Sequence, residues 1–157
     1  MNATVYDAFS ASARRTPQVD FLFTESVTAA AYGIEPGAIA WGKAAAEVER
    51  LKLAYAGAGY GHGHRIGLLL ENRPAFLFHW FALNALGVSV VPINAEMRSA
   101  ELSYLIGHSE IGLAVTLPER ISALIGTTLA PSAFSASQWK MKAGRFSSSR
   151  PTRWPCP

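Results

Sequence analysis

The sequence predicts an α/β fold: a parallel-sheet βαβαβ fragment with flanking helices, followed by an irregular tail. Three observations predict it. Apolar runs "RIGLLL", "VSVVPI" and "IGLAVT" are short enough to be strands and apolar enough to be buried on both faces. Segments of helical length separate them. The strands also begin about 22 residues apart, a spacing that suits crossover units and a parallel sheet with right-handed connections.

The elements follow in order. Thr4 with Asp7 forms a T-x-x-D signature for a helix start, and Val5, Ala8, Phe9 and Ala13 repeat at helical spacing until Pro17. "DFLF", Asp20 to Phe23, reads as a strand, and "TESVTAAAYGIEPG" as a loop or hairpin-like region. Ala44, Ala45, Val48, Leu51 and Tyr55 form one apolar stripe, with Glu47, Glu49, Arg50 and Lys52 off it. That predicts an amphipathic helix from about Gly42 to Ala58. The first parallel strand spans Ile66–Leu70. Asn72 is the expected cap of the next helix, with Pro74 in its first turn, where a missing N–H costs little. That helix is expected to be buried on most sides and to end near Leu86, with Gly87 beyond it. Ser99 is the expected cap of a helix carrying Leu102, Leu105 and Ile106, and Pro118 is expected to open another.

The regularity stops after Ile125. Residues 1–125 are expected to be the folded part, and residues 126–157 an irregular Ser/Arg-rich tail. The tail carries five basic residues and no acid, whereas residues 1–131 carry nine basic and eleven acidic residues. The overall charge of +3 therefore belongs to the tail, which argues against nucleic acid as a partner. The change at 125 is abrupt enough to suggest a shifted reading frame or a flexible tail. One cysteine, Cys156, excludes a disulfide framework and makes a reducing, cytoplasmic setting the expectation. Gly87 and Pro92 split the longest apolar region, Ala75 to Ile93, into a helix and a strand, so no membrane span is expected.

The motifs that invite a chemical reading are few. "GAGYGHG", Gly57 to Gly63, has His62 where a dinucleotide loop needs glycine, and it precedes a strand instead of opening a helix. It reads as a tight turn. His62 and His64 have no carboxylate or cysteine at ligand spacing, His79 reads as a packed core histidine, and His108 as a residue favoured at a helix end. No metal site and no catalytic set is predicted. In "IGTTLAP", Thr127 and Thr128 follow a single glycine, and a remnant phosphate loop is the functional reading of that piece.

Taken together, residues from about 4 to 125 resemble the N-terminal part of the adenylate-forming, AMP-dependent synthetase/ligase family. The matching pieces are "ARRTP", the block from "IAWGKAAAEVERL" to "IGLAV", and "LNALGVSVVPIN" within it; "VPINAEMRSAEL" looks closer to acid–CoA ligases than to peptide synthetases. The resemblance implies a two-step reaction using ATP, Mg²⁺ and coenzyme A on a carboxylic acid substrate, with fatty acid metabolism as the setting. The acid displaces pyrophosphate from ATP, and the coenzyme A thiol then displaces AMP. Arg98 is the residue that the resemblance offers to coenzyme A. A Thr/Gly-rich loop ending in Pro-Lys-Gly is missing from the 157 residues, so the chain is expected to be a truncated, inactive member. The alternative is a non-catalytic module that binds a complete ligase or another protein through exposed apolar surface.

Overall fold

The computed structural model describes residues 4–120. The first helix, α1 (Val5–Arg15), opens on a complete capping box. Thr4 Oγ1 accepts from the Asp7 backbone N–H, and the Asp7 carboxylate accepts from the Thr4 N–H. These bonds satisfy donors that a bare helix end leaves unpaired. They also hold the Asp7 carboxyl below its ordinary range, the backbone N–H of Thr4 contributing most.

β1 (Asp20–Thr24) pairs antiparallel with β2 (Gly37–Ala40), with a bulge between Asp20 and Leu22. Between them lies α2 (Ser26–Tyr32), where the sequence suggests only a loop or hairpin. Seven residues are too few to show a helical period, but three consecutive alanines favour the helix. Gly33 closes it in the left-handed conformation at φ 60°, with its N–H on the preceding turn. α3 (Trp41–Gly57) then buries Ala44, Val48, Leu51 and Tyr55, the predicted stripe.

The parallel sheet consists of β3 (Arg65–Leu69), β4 (Ser89–Pro92) and β5 (Leu113–Thr116), in the order β4-β3-β5. Gly67 of β3 lies beside Val91 on one side and Ala114 on the other. α4 (Pro74–Ala85) and α5 (Ser99–His108) make the two crossovers. Side chains alternate across the sheet, which gives two apolar layers. Ile66, Leu68 and Val115 join Val48, Leu51 and Leu83 under α3 and α4. Leu69 and Ala114 join Ile93, Leu102 and Ile106 under α5. The helices therefore cover opposite faces, as the sequence predicts. Outside the sheet, the Phe9 ring stacks on Phe81 at 4.3 Å and meets Phe21 edge-on, tying α1 to α4 and β1.

Two helix caps also differ from expectation. Asn72 does not cap α4. The N-cap is Arg73, in extended backbone at φ −100° and ψ 155° and without a side-chain cap bond. Pro74 disfavours helical backbone in the residue before it, so the helix cannot start earlier. Ser99 is already helical, and Arg98 stands at the N-cap with its N–H donated to Glu101 Oε2. A carboxylate three residues on takes the place of the expected hydroxyl. Pro118 opens a 3₁₀ turn over Pro118–Arg120, where the described residues end. α4 is buried on most sides, as expected: His79, Ala82 and Leu83 are buried, the rest are partly buried, and Trp80 alone of its residues is exposed. No helix among the described residues is long and apolar enough to cross a membrane.

Candidate functional site

A doubly covered parallel sheet opens a crevice where neighbouring strands send their connections to opposite faces. Here β3 leads into α4 on one face and β4 leads into α5 on the other. The loops leaving β3 and β4 must diverge. A cleft of about 940 Å³ lies there, at the carboxyl ends of the strands. Glu71, Asn72 and Arg73 line it from the loop after β3, and Asn94, Ala95 and Glu96 from the loop after β4. Tyr32 of α2, Phe76 of α4 and Arg120 complete the wall.

The charged part of the cleft centres on Glu71. Arg120 Nη2 donates to Glu71 Oε1 at 2.7 Å, and Arg73 Nη2 to Glu71 Oε2 at 3.4 Å. One carboxylate thus bridges two guanidiniums, one following β3 and one following β5. The bond from Arg120, then that from Arg73, holds the Glu71 carboxyl below the ordinary carboxylate range. The Glu71 backbone is left-handed at φ 56°, a conformation costing roughly 1 kcal/mol for a residue with a Cβ. The Arg73 guanidinium lies 5.1 Å from the Tyr32 ring centroid, a cation–π contact that restrains its orientation. Across the cleft, Asn94 Oδ1 accepts from the Glu96 backbone N–H and fixes the turn after β4.

None of the four histidines lines this cleft. His64 bonds within its own turn to Gly61, and the edge of His62 packs on Gly87. His108 stacks on Tyr104 at the end of α5. His79 is buried as expected, with Nδ1 2.6 Å from Tyr55 Oη. Burial holds that imidazole down to about 4 and pushes the Tyr55 phenol upward. The tight-turn reading of the glycine loop fits Gly59 and Gly63, at φ 87° and 88°. Among the described residues, no group of three His, Cys, Asp or Glu side chains is placed to hold a metal ion.

Arg98, the residue offered for coenzyme A, is exposed at the start of α5 and is not among the residues lining the cleft. Thr127 and Thr128 lie outside the described residues. Sequence reasoning misses Glu71, Arg73 and Arg120. The local signal for the first two was a charged pair flanking Asn72 at the end of a buried strand. Nothing local indicates Arg120, because only the β3–β5 register brings it to Glu71.

The model of the AMP-binding enzymes matches residues 9–147. The chain belongs to the AMP-binding enzyme family. The match runs past residue 125 into the segment expected to be irregular, which is outside the described residues. Within this family the chain is similar to the crotonobetaine/carnitine–CoA ligases of Salmonella paratyphi B and Salmonella typhi. It is 36% identical to each over 70 residues, 45% of this chain and 14% of those enzymes. The chain thus matches about one-seventh of the length of these curated relatives. Among solved structures, VinN superposes with a TM-score of 0.69 at 20% identity, over 80% of this chain and 30% of VinN. The N-terminal domain of FACL13 from Mycobacterium tuberculosis gives 0.68 at 17% identity, over 78% and 29%. A fatty acyl CoA synthetase of Mycobacterium tuberculosis gives 0.67 at 17% identity, over 77% and 22%. At these identities the structures establish the shared fold: the N-terminal part of an AMP-binding enzyme.

Proposed function

We propose that residues 4–120 are scaffold from an ATP-dependent carboxylic acid–CoA ligase, and that the 157-residue chain does not catalyse the reaction alone. The 36% identity to crotonobetaine/carnitine–CoA ligases carries this reading, because it falls on enzymes that join an acid to coenzyme A. In such a reaction, ATP and Mg²⁺ supply the activated phosphorus, and coenzyme A supplies the thiol. Adenylation concentrates negative charge on the α-phosphate, which needs fixed positive charge and usually a metal. The cleft residues do not fit ATP. Among the described residues no lysine lines the cleft, and Glu71 bridges its two arginines. No adenylation step is therefore assigned to these side chains. Their role is to hold the strand ends and divergent loops against which the reaction centre is assembled. Arg98, exposed beside the β4 loop, remains the proposed contact for coenzyme A, with Glu96 opposing that charge.

Two assays test this reading. The purified chain with ATP, Mg²⁺, coenzyme A and carnitine is expected to release no acid-dependent AMP; turnover would refute the claim of inactivity. The scaffold role is tested by exchanging the matched 70 residues into the Salmonella enzyme. A folded chimera should retain acid-dependent AMP formation. A folded but inactive chimera would contradict the scaffold reading.

A second reading rests on exposed apolar side chains. Phe23 of β1 and Val27 of α2 are 70% and 81% exposed, and Val19 is 56% exposed. A non-catalytic module that docks on a complete ligase would use such a surface. Mixing with the Salmonella enzyme and measuring complex formation by sedimentation distinguishes the two. A monodisperse, non-associating chain leaves only the first reading.

A further inference from the structure

The edge strand β4 is protected against further pairing, and β2 is not. Ser89 and Ile93 donate their N–H groups to His64 and Leu68, so alternation turns Val90 and Pro92 outward, and Pro92 has no N–H to offer. β2 has no such device. Gly37, Ala38, Ile39 and Ala40 include no charge and no proline, and the bulge of that sheet lies in β1. The Trp41 N–H donates to the Val19 carbonyl, which fixes the parity of the strand. Gly37 and Ile39 turn their backbone polar groups to β1, and Ala38 and Ala40 turn theirs away from it. Ile39 packs on the core from the inner face. On the outer face Phe23, the cross-strand neighbour of Ala38, is 70% exposed. β2 is therefore a slim, uncharged edge with outward donors and acceptors and an apolar ring beside it.

Such an edge fits another short extended strand, and the flanking charges select which one. Glu35 and Lys43, both exposed, stand four residues before and four after Ile39. Among the described residues, neither has an ion-pair partner in its own chain. A second copy of β2 can run antiparallel to the first with Ile39 on the two-fold axis. Ala38 then opposes Ala40 of the second copy, and each such pair exchanges N–H···O bonds. The same register brings Glu35 of each copy toward Lys43 of the other. Lys43 lies in the first turn of α3, where side chains lean toward the helix start and hence toward the end of β2. A parallel pairing would oppose like charges instead. We propose that β2 is a self-pairing edge, through which two copies of this chain join their two-stranded sheets into one of four strands. Phe23 loses water in that assembly, because Ala40 of the second copy extends the row of small side chains beside it. This inference goes beyond the ligase reading and depends on no part of it, since the chain is measured alone.

Sedimentation equilibrium of the full chain, from micromolar to millimolar concentration, is expected to show a monomer–dimer equilibrium. Amide exchange followed by NMR at both ends of that range locates the interface. Exchange should slow in the dimer at Ala38 and Ala40, and far less at Gly37 and Ile39, which β1 already binds. Lys43→Glu and Glu35→Lys, each at an exposed position, should each weaken the dimer about fivefold, because the two-fold axis repeats the pair. The double variant should restore the parent affinity, a recovery that damage to the fold does not give. A chain that stays monomeric at millimolar concentration overturns the proposal. So does a dimer whose new protection falls at Val90 or elsewhere and not at Ala38 and Ala40, or a double variant that associates no more tightly than the single ones.

Discussion

Acid should destabilise this protein through one buried ring. His79 of α4 sits in the core, hydrogen-bonded through Nδ1 to Tyr55 of α3. Burial lowers its pKa from 6.5 to about 4, while nearby Glu47 and Arg50 on α3 act in opposite directions on it. Between those two pH values the unfolded chain binds a proton that the folded chain refuses. Stability therefore rises with pH across this window, is fully present above 6.5, and is lost as pH falls toward 4. A shift of this size corresponds to about 3 kcal/mol. The assay is urea unfolding followed by tryptophan fluorescence at several pH values from 7.5 to 4, on the parent chain and on His79→Gln. Glutamine is neutral throughout and keeps a group able to meet the Tyr55 hydroxyl. It should cost about 1–2 kcal/mol at pH 7.5 and flatten the slope between 6.5 and 4. Asp7 and Glu71 also lose stability on acidification, but equally in both proteins, so the difference isolates His79. Parallel pH profiles for the two proteins would refute the argument.

Three further substitutions probe the layers. Gly67→Ala puts a methyl 2.8 Å from Ile93 Cδ1 and 3.2 Å from Ile111 Cδ1, so it should destabilise by roughly 1–3 kcal/mol in chemical denaturation. Leu83→Ala empties a fully buried site between α4 and the sheet and should cost about 2–5 kcal/mol, read as a lower denaturation midpoint. Thr4→Ala removes the hydroxyl that caps α1 and should cost about 1 kcal/mol, with faster amide exchange confined to the first turn.

Much of the fold was legible because the chain punctuates itself. Thr4 and Asp7, Pro74, and Gly87 at φ 69° each mark an element end for a local steric or hydrogen-bonding reason. The apolar runs of β3 and β5 were readable as doubly buried strands because both faces carry side chains. The misses have physical causes too. α2 is shorter than the window that a period needs, and its alanines are silent in a hydrophobic pattern. Asn72 is a good capping residue by type, but the steric demand of Pro74 on Arg73 decided the position. The cleft was the least legible part. Arg73 and Arg120 are ordinary surface arginines in the sequence, and their meeting at Glu71 depends on a parallel register that no local rule reports.

The central place of β3 also sets an order of assembly on the ribosome. Its partner on one side, β4, follows directly through α4, but its partner on the other, β5, ends only at Thr116. Residues 93–116 must be made before the second edge is covered, a delay of seconds at synthesis rates of about 5–20 residues per second. During that interval a nascent chain presents the open flank of its most apolar strand, from Ile66 to Leu69. A ribosome stalled before Leu113 would hold a template for strand pairing with a neighbouring chain.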